Sequence, residues 1–174
     1  NVPSKPDEPD VPFVPLLPLV PDEPEVPDVP AVPLLPKKVP FKPDVIWASP
    51  PCTGFSVAAI GHHWTGGKGA YIPNTDTARL GIELVKKTLE IIDHYKPQHW
   101  FVENPRGLLR KMDLVQNLKR QTVTYCQYGD ERMKPTDIWT NSDVWVPRKM
   151  CKNGDPCHVA APRGSRTGTQ GRAN

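Results

Sequence analysis

Beyond Pro43 the apolar positions change period several times, and each change predicts an element. Val45-Ile46-Trp47-Ala48 is an unbroken apolar run behind Pro43-Asp44 and predicts a buried strand. Ser49-Pro50-Pro51-Cys52-Thr53-Gly54-Phe55-Ser56 predicts a loop, because two prolines and a glycine forbid regular structure. Residues 61–76 are glycine-rich and polar and predict a long loop. From Thr77 to Tyr95 the residues Leu80, Leu84, Leu89, Ile91 and Ile92 recur near helical spacing, and Pro97 ends the helix. His99-Trp100-Phe101-Val102-Glu103 predicts a second strand stopped at Asn104-Pro105. Leu108, Met112, Val115 and Leu118 predict a second helix over 108–119. Thr122 to Tyr128 and Asp137 to Asn141 predict two further strands.

Strands alternating with helices imply an α/β sheet with crossover connections. In such sheets ligands sit beyond the carboxyl ends of the strands. Two loops occupy those ends, Pro50-Pro51-Cys52 and Glu103-Asn104-Pro105. Adjacent parallel strands would bring Cys52 and Glu103 to one rim. A thiol held by a rigid Pro-Pro turn is a candidate nucleophile once a base or a lowered pKa activates it. A glutamate facing it can protonate an electron-poor heterocycle. The plainer alternative is an inert cysteine and a loop-capping glutamate.

Residues 1–43 follow another rule. Proline recurs at every third position from Pro3 to Pro36, then at Pro40 and Pro43. This accounts for 14 of the 23 prolines in the 174-residue chain, and the segment contains no glycine. Polyproline II has three residues per turn, so the prolines would line one edge of a helix reaching roughly 100 Å. A stiff or disordered spacer, a ligand for PxxP-binding modules and a segment of foreign origin all fit this composition. The chain thus divides into a proline-rich segment, 1–43, an α/β domain, 44–141, and a cysteine-containing loop with a flexible basic tail, 142–174.

Charge divides similarly. Residues 1–43 carry seven acidic and four basic residues, net −3, and residues 44–174 carry twelve and eighteen, net +6. A basic folding part favours an anionic partner, although weakly. No run of 18 apolar residues is present, so no membrane span is expected. The N-terminus has no basic-then-apolar signal. Four cysteines are too few for a disulfide scaffold and suit a reducing compartment. The chain begins at Asn1 rather than Met, which suggests a processed or partial sequence.

The residues at the proposed rim resemble those of the DNA cytosine-5 methyltransferase family. Pro51-Cys52-Thr53-Gly54-Phe55-Ser56 resembles its Pro-Cys-x-x-Phe-Ser nucleophile loop. Glu103-Asn104-Pro105 resembles its Glu-Asn-Val motif, with Pro105 in place of valine. Tyr128-Gly129-Asp130-Glu131-Arg132-Met133-Lys134 resembles its Gln-x-Arg-x-Arg segment, with Arg132 and Lys134 at the basic positions and Asp130 replacing glutamine. The stretch 43–171 is most similar to small, phage-type members and covers the second half of the fold. The fold implied is a partial Rossmann-like methyltransferase sheet with flanking helices.

The resemblance implies a covalent mechanism. Double-stranded DNA presents a flipped cytosine. The Cys52 thiolate attacks C6, and Glu103 binds the N3 edge. C5 takes a methyl group from S-adenosylmethionine, and elimination frees the cysteine. Arg132 would support the base or its backbone. Pro51, Phe55, Ser56, Asn104, Pro105 and Lys134 would form the substrate-side loops. An intracellular setting follows, in bacterial cytoplasm or beside the nucleoid.

The resemblance also calls for a glycine-rich donor loop, and residues 1–43 supply no glycine for one. Weak donor binding by this chain alone is therefore expected, with a partner chain as one source of the donor-binding half. Amino-group methyltransferases offer a rival likeness through Ser49-Pro50-Pro51, but Cys52 stands where their aromatic residue belongs. A second functional class also fits, a catalytically inactive module with a PxxP tether that binds nucleic acid or protein.

Cys126, Cys151, Cys157 and His158 form another constellation. Three thiolates and an imidazole satisfy tetrahedral zinc, although the spacing is not a tight C-x2-C pattern, and separate idle thiols are the alternative. His62-His63 in a glycine-rich loop predicts solvent exposure. Gly66-Gly67-Lys68-Gly69 lacks the P-loop spacing. The basic tail, Arg163 to Gly168, reads as a disordered end or a phosphate contact. The five tryptophans read as packing residues.

Overall fold

The computed structural model describes residues 40–67 and 70–159. The period-three proline run and the Arg163–Gly168 tail lie outside these residues. In chain order the elements are β1 (Val45–Ala48), α1 (Ile60–His63), β2 (Trp64–Thr65), β3 (Ile72–Pro73), α2 (Asp76–Tyr95), β4 (His99–Pro105), α3 (Asp113–Gln116), β5 (Arg120–Thr124) and β6 (Pro135–Thr140). Single 3-10 turns sit at Thr53–Phe55, Leu109–Lys111 and Tyr125–Tyr128.

Four strands form a mixed sheet in the order β1-β4-β6-β5. β1 pairs parallel to β4, with Val45 opposite His99 and Ala48 opposite Val102. β6 runs antiparallel to both β4 and β5. The β1–β4 crossover runs through α2, the one long helix among the described residues. Parallel neighbours require such a connection. The remaining strands join antiparallel, which the strand–helix alternation did not foretell.

Helix α2 has clear terminal chemistry. The Thr75 hydroxyl accepts from the Ala78 amide at 3.3 Å, as an N-cap does. Asp76 lies in the first turn and His94 in the last, matching the helix dipole. Lys96 closes the helix in the left-handed region, φ 45°, just before Pro97. Its buried stripe, Ala78, Gly81, Val85 and Ile92, has helical spacing. This stripe joins a core with Phe55, Trp64, Val102, Leu108, Leu109 and Trp139.

Several sequence expectations change. β1 is not a buried strand: Val45 is 55% and Trp47 59% exposed. It lies at the sheet edge, so alternate side chains have no covering layer among the described residues. β4 continues through Asn104 and Pro105, because Pro105 needs no amide to pair opposite Thr136. The helix over 108–119 is broken into the 3-10 turn and the four-residue α3, and Met112 between them is extended at ψ 142°. β5 starts at Arg120 and ends at Thr124, and the chain then turns at Tyr125–Tyr128. The fourth strand, β6, begins at Pro135, two residues before its expected start, and ends at Thr140, one before its expected end.

The stretch 61–76 is not one long loop. It contains α1 and the small β2–β3 hairpin. His63 is buried, and its Nδ1 lies 2.7 Å from the Thr75 hydroxyl. The hairpin is thereby tied to the N-terminus of α2. His62 is exposed.

Candidate functional site

The parallel pairing of β1 and β4 sets the carboxyl ends of both strands side by side. Pro50 and Pro51 carry no amide hydrogen, so the chain leaves the sheet after Ala48. The loop is fastened from both sides. Asn104 Nδ2 donates to the Pro50 carbonyl at 2.8 Å in a fully buried position. Farther along, the Leu108 amide donates to the Phe55 carbonyl at 2.8 Å. The Phe55 amide donates to the Cys52 carbonyl at 2.9 Å, closing the 3-10 turn. Trp64 Nε1 donates to the Gly54 carbonyl at 2.5 Å. Cys52 therefore rides on a short segment bonded to β4, to the residues after β4 and to the hairpin. Its thiol is free and half-buried.

Backbone contact here is close enough to specify Gly107. A Cβ on Gly107 would sit 2.3 Å from the Phe55 carbonyl oxygen. Any side chain at Gly107 would push the Cys52 loop away from β4.

Glu103 lies on the opposite face of β4 from Asn104, as strand alternation requires. It is 8% exposed. It borders a cavity of about 440 Å³ whose wall also includes Trp47, Tyr125, Tyr128, Asp130 and Trp145. Tyr125 Oη donates to Glu103 Oε1 at 2.9 Å. Burial, followed by the hydrogen bond and the charge of Glu103, pushes the Tyr125 phenol up to about 12. Tyr125 thus keeps its proton at neutral pH and donates a hydrogen bond to Glu103 Oε1. Lys134 Nζ lies 4.5 Å from the Tyr125 ring centroid, a cation–π contact.

Other residues named from the sequence lie apart. Cys52 is not on the wall of the Glu103 cavity. Arg132 is exposed and paired with Asp130, Nη2 to Oδ2 at 2.8 Å and Nε to Oδ1 at 3.0 Å. These bonds hold the Asp130 carboxyl down at about 2. Arg132 thus reaches the cavity only through Asp130. Ser56 Oγ accepts from the Ala58 amide at 3.3 Å and shapes its own turn. Pro51 is exposed, and the Phe55 ring is wholly buried.

Sequence reasoning missed the aromatic wall. Tyr125 follows Val123 at the two-residue period of β5, which is the signal that places it on the Glu103 face. Trp47 shares the face of Phe101, and the two rings stack at 5.6 Å. Trp145 meets Phe101 edge-on at 5.9 Å. Trp47 and Trp145 had no periodic signal linking them to Glu103.

A second missed group braces the sheet. Asp137 is completely buried and accepts from Arg110 twice, Nε to Oδ2 at 2.8 Å and Nη2 to Oδ1 at 2.5 Å. Thr122 Oγ1 donates to Asp137 Oδ1 at 2.8 Å. This network pins the segment following β4 onto β5 and β6.

The side chains of Cys126, Cys151, Cys157 and His158 converge, with one ligand atom from each within 4.8 Å of the others. All four cysteines of the chain are free thiols.

The strand pairing and the loop bonds define a class: a mixed α/β protein carrying a thiol loop and a buried glutamate at the ends of two neighbouring parallel strands. The model for the C-5 cytosine-specific DNA methylase family matches residues 32–125, and the chain belongs to that family. A relative from Frog virus 3 (isolate Goorha), described as "Probable DNA (cytosine-5)-methyltransferase", is 33% identical over 115 residues. That alignment covers 66% of this chain and 53% of the viral protein, so the chain spans about half the length of the curated relative it matches. No helix among the described residues is long and apolar enough to cross a membrane.

Proposed function

We propose that this chain carries the cytosine-attacking half of a DNA cytosine-5 methyltransferase site, on part of a Rossmann-like sheet. Cys52 is the nucleophile, and Glu103 is the group that meets the N3 edge of a flipped cytosine in double-stranded DNA. The observation that carries this reading is the Asn104–Pro50 bond, which joins the thiol loop to the strand bearing Glu103.

The chemistry explains the residue types. A thiolate is a soft nucleophile and adds to C6 of the pyrimidine. The electron pair of the C5–C6 double bond moves onto C5 and into the ring. A proton delivered from Glu103 to N3 neutralises that charge, and Tyr125 Oη stabilises the carboxylate left behind. Return of the electron pair expels the thiolate and returns the proton. Arg132 and Lys134 lie in the segment between β5 and β6, and cations there are suited to DNA phosphates. Ser56 shapes the thiol loop, and Pro105 extends the Glu103 strand.

In this family the methyl group comes from S-adenosylmethionine. Gly54 and Gly107, the glycines after β1 and β4, leave no room for that donor against their own backbone, since a Cβ built on them would lie 3.1 Å from Thr77 O and 2.3 Å from Phe55 O. We assign no donor contact to the described residues. On this reading the donor-binding residues lie elsewhere in the chain or in a partner chain.

The covalent step is testable without the donor. Reversible attack on C6 makes C5 basic, so in D2O a cytosine exchanges its C5 hydrogen. Wild-type protein should introduce deuterium at C5 of a cytosine in duplex DNA, read by mass spectrometry, and Cys52→Ser should not. DNA binding without exchange would instead favour a catalytically inactive binding module.

A further inference from the structure

We propose that Cys126, Cys151, Cys157 and His158 bind one tetrahedral zinc ion, and that this ion clamps the segment 145–159 against the turn after β5. The site is separate from the cytosine chemistry, and its test does not depend on that reading.

The geometry is that of a ligand set. Cys126 Sγ lies 3.1 Å from Cys151 Sγ and 3.5 Å from Cys157 Sγ. His158 Nδ1 lies 3.7 Å from both Cys151 Sγ and Cys157 Sγ. Zinc–sulfur bonds of about 2.3 Å at tetrahedral angles place sulfurs about 3.8 Å apart, and a nitrogen about 3.6 Å from each sulfur. The observed separations fall within a few tenths of an ångström of these, except the shortest sulfur pair. A disulfide would engage two of the three sulfurs and leave the third thiol and the imidazole unexplained. Three thiolates with one imidazole match the borderline-soft preference of zinc.

The surroundings point the same way. Cys126 and Cys151 are buried, and His158 Nε2 is a buried atom without a hydrogen-bond partner. Nδ1 is the ring nitrogen turned to the sulfurs. The ligands come from two places joined by the fold: Cys126 from the turn after β5, the others from a segment without helix or strand. Among the described residues the buried apolar cluster there consists of Cys126, Met133 and Cys151, with Cys157 packed against them. So small a cluster gives little hydrophobic stabilisation, and small cores of this kind are commonly held by metals. The backbone already presents the ligands: the Cys151 amide donates to Thr124 Oγ1 at 3.0 Å, and the Val159 amide to the Glu131 carbonyl at 3.0 Å.

The clamp has a structural target. Between its two halves, Arg148 lies 5.2 Å over the Tyr128 ring and its amide donates to Tyr128 Oη at 2.8 Å. Tyr128 and Trp145 both wall the Glu103 cavity. An ion joining Cys126 to Cys151, Cys157 and His158 fixes the path of both.

Full-length protein purified without chelator should contain one zinc per chain by elemental analysis. Cobalt replacement should give the strong visible bands of a tetrahedral ion with sulfur-to-cobalt charge transfer. Cys157→Ser should weaken those bands and Cys52→Ser leave them intact. Chelation should speed hydrogen exchange in 125–131 and 145–159 while leaving α2 protected. Zinc well below one per chain after refolding with the metal, or an octahedral cobalt spectrum, would overturn the site. Unchanged exchange in both segments on metal removal would overturn the clamp.

Discussion

Asn104 Nδ2 donates to the carbonyl of Pro50 at 2.8 Å, and through this bond β4 sets where the Cys52 loop begins. Both residues are buried, so the Pro50 carbonyl has no solvent to replace a lost donor. Asn104→Ala should lower stability by about 1–3 kcal/mol, the cost of an unsatisfied buried group. Asn104→Asp should cost more, because it sets a carboxylate against a carbonyl oxygen. Urea denaturation compares the two, and equal stability of Asn104→Asp and wild type would refute the role of this bond.

Gly107→Ala tests the closeness of the two loops. The added Cβ meets Phe55 O at 2.3 Å, a backbone atom that cannot swing aside. Loss of about 1–3 kcal/mol is expected from overpacking. The Leu108–Phe55 hydrogen bond should be lost with it, read as faster exchange of the Leu108 amide.

The Arg110–Asp137 pair should be strongly coupled. Asp137 is 1% exposed at its side chain and Arg110 19%. Arg110→Met leaves the buried carboxylate with the Thr122 hydroxyl and the more distant Arg120, at 3.9 Å, and should cost about 3 kcal/mol, the low end for a broken buried pair. Asp137→Asn should cost less in the Arg110→Met background than in wild type. A double-mutant cycle with no coupling would remove this pair from the sheet's supports.

Tyr125 should titrate late. Its phenol is raised from 10.0 to about 12, so the neutral form is favoured in the folded state. The stabilisation is complete below pH 10 and disappears as pH rises through 12. The ultraviolet tyrosinate difference between wild type and Tyr125→Phe should have its midpoint near pH 12. A midpoint at 10 would show that the Glu103 contact does not persist in solution.

The elements that sequence made legible are those with strong local signals. Helical apolar spacing and Pro97 mark α2 to within a residue, although of the apolar positions that signal it only Ile92 belongs to the buried stripe, which Ala78, Gly81 and Val85 otherwise form. The apolar runs at 45–48 and 99–103 mark their strands. The helix over 108–119 is illegible for a physical reason: Leu108, Met112 and Val115 do face the core, yet two separate turns bury them as well as one helix would. Burial of β1 depends on what lies across the sheet edge, which an apolar run does not encode. At the candidate site, Cys52 and Glu103 are singled out in the sequence by residue type and loop chemistry. Trp145 and the Arg110–Asp137 pair act through partners more than 20 residues away in the chain. No local pattern carries such contacts.

Pro50 and Pro51 act on the unfolded chain as well as on the folded loop. Their fixed φ angles restrict the conformations open to residues 49–51 before any contact forms. Part of the entropy that ordering a catalytic loop usually sacrifices is thus absent from the outset. The Cys52 thiol is carried on a segment whose stiffness is covalent, and that stiffness persists when the surrounding hydrogen bonds open.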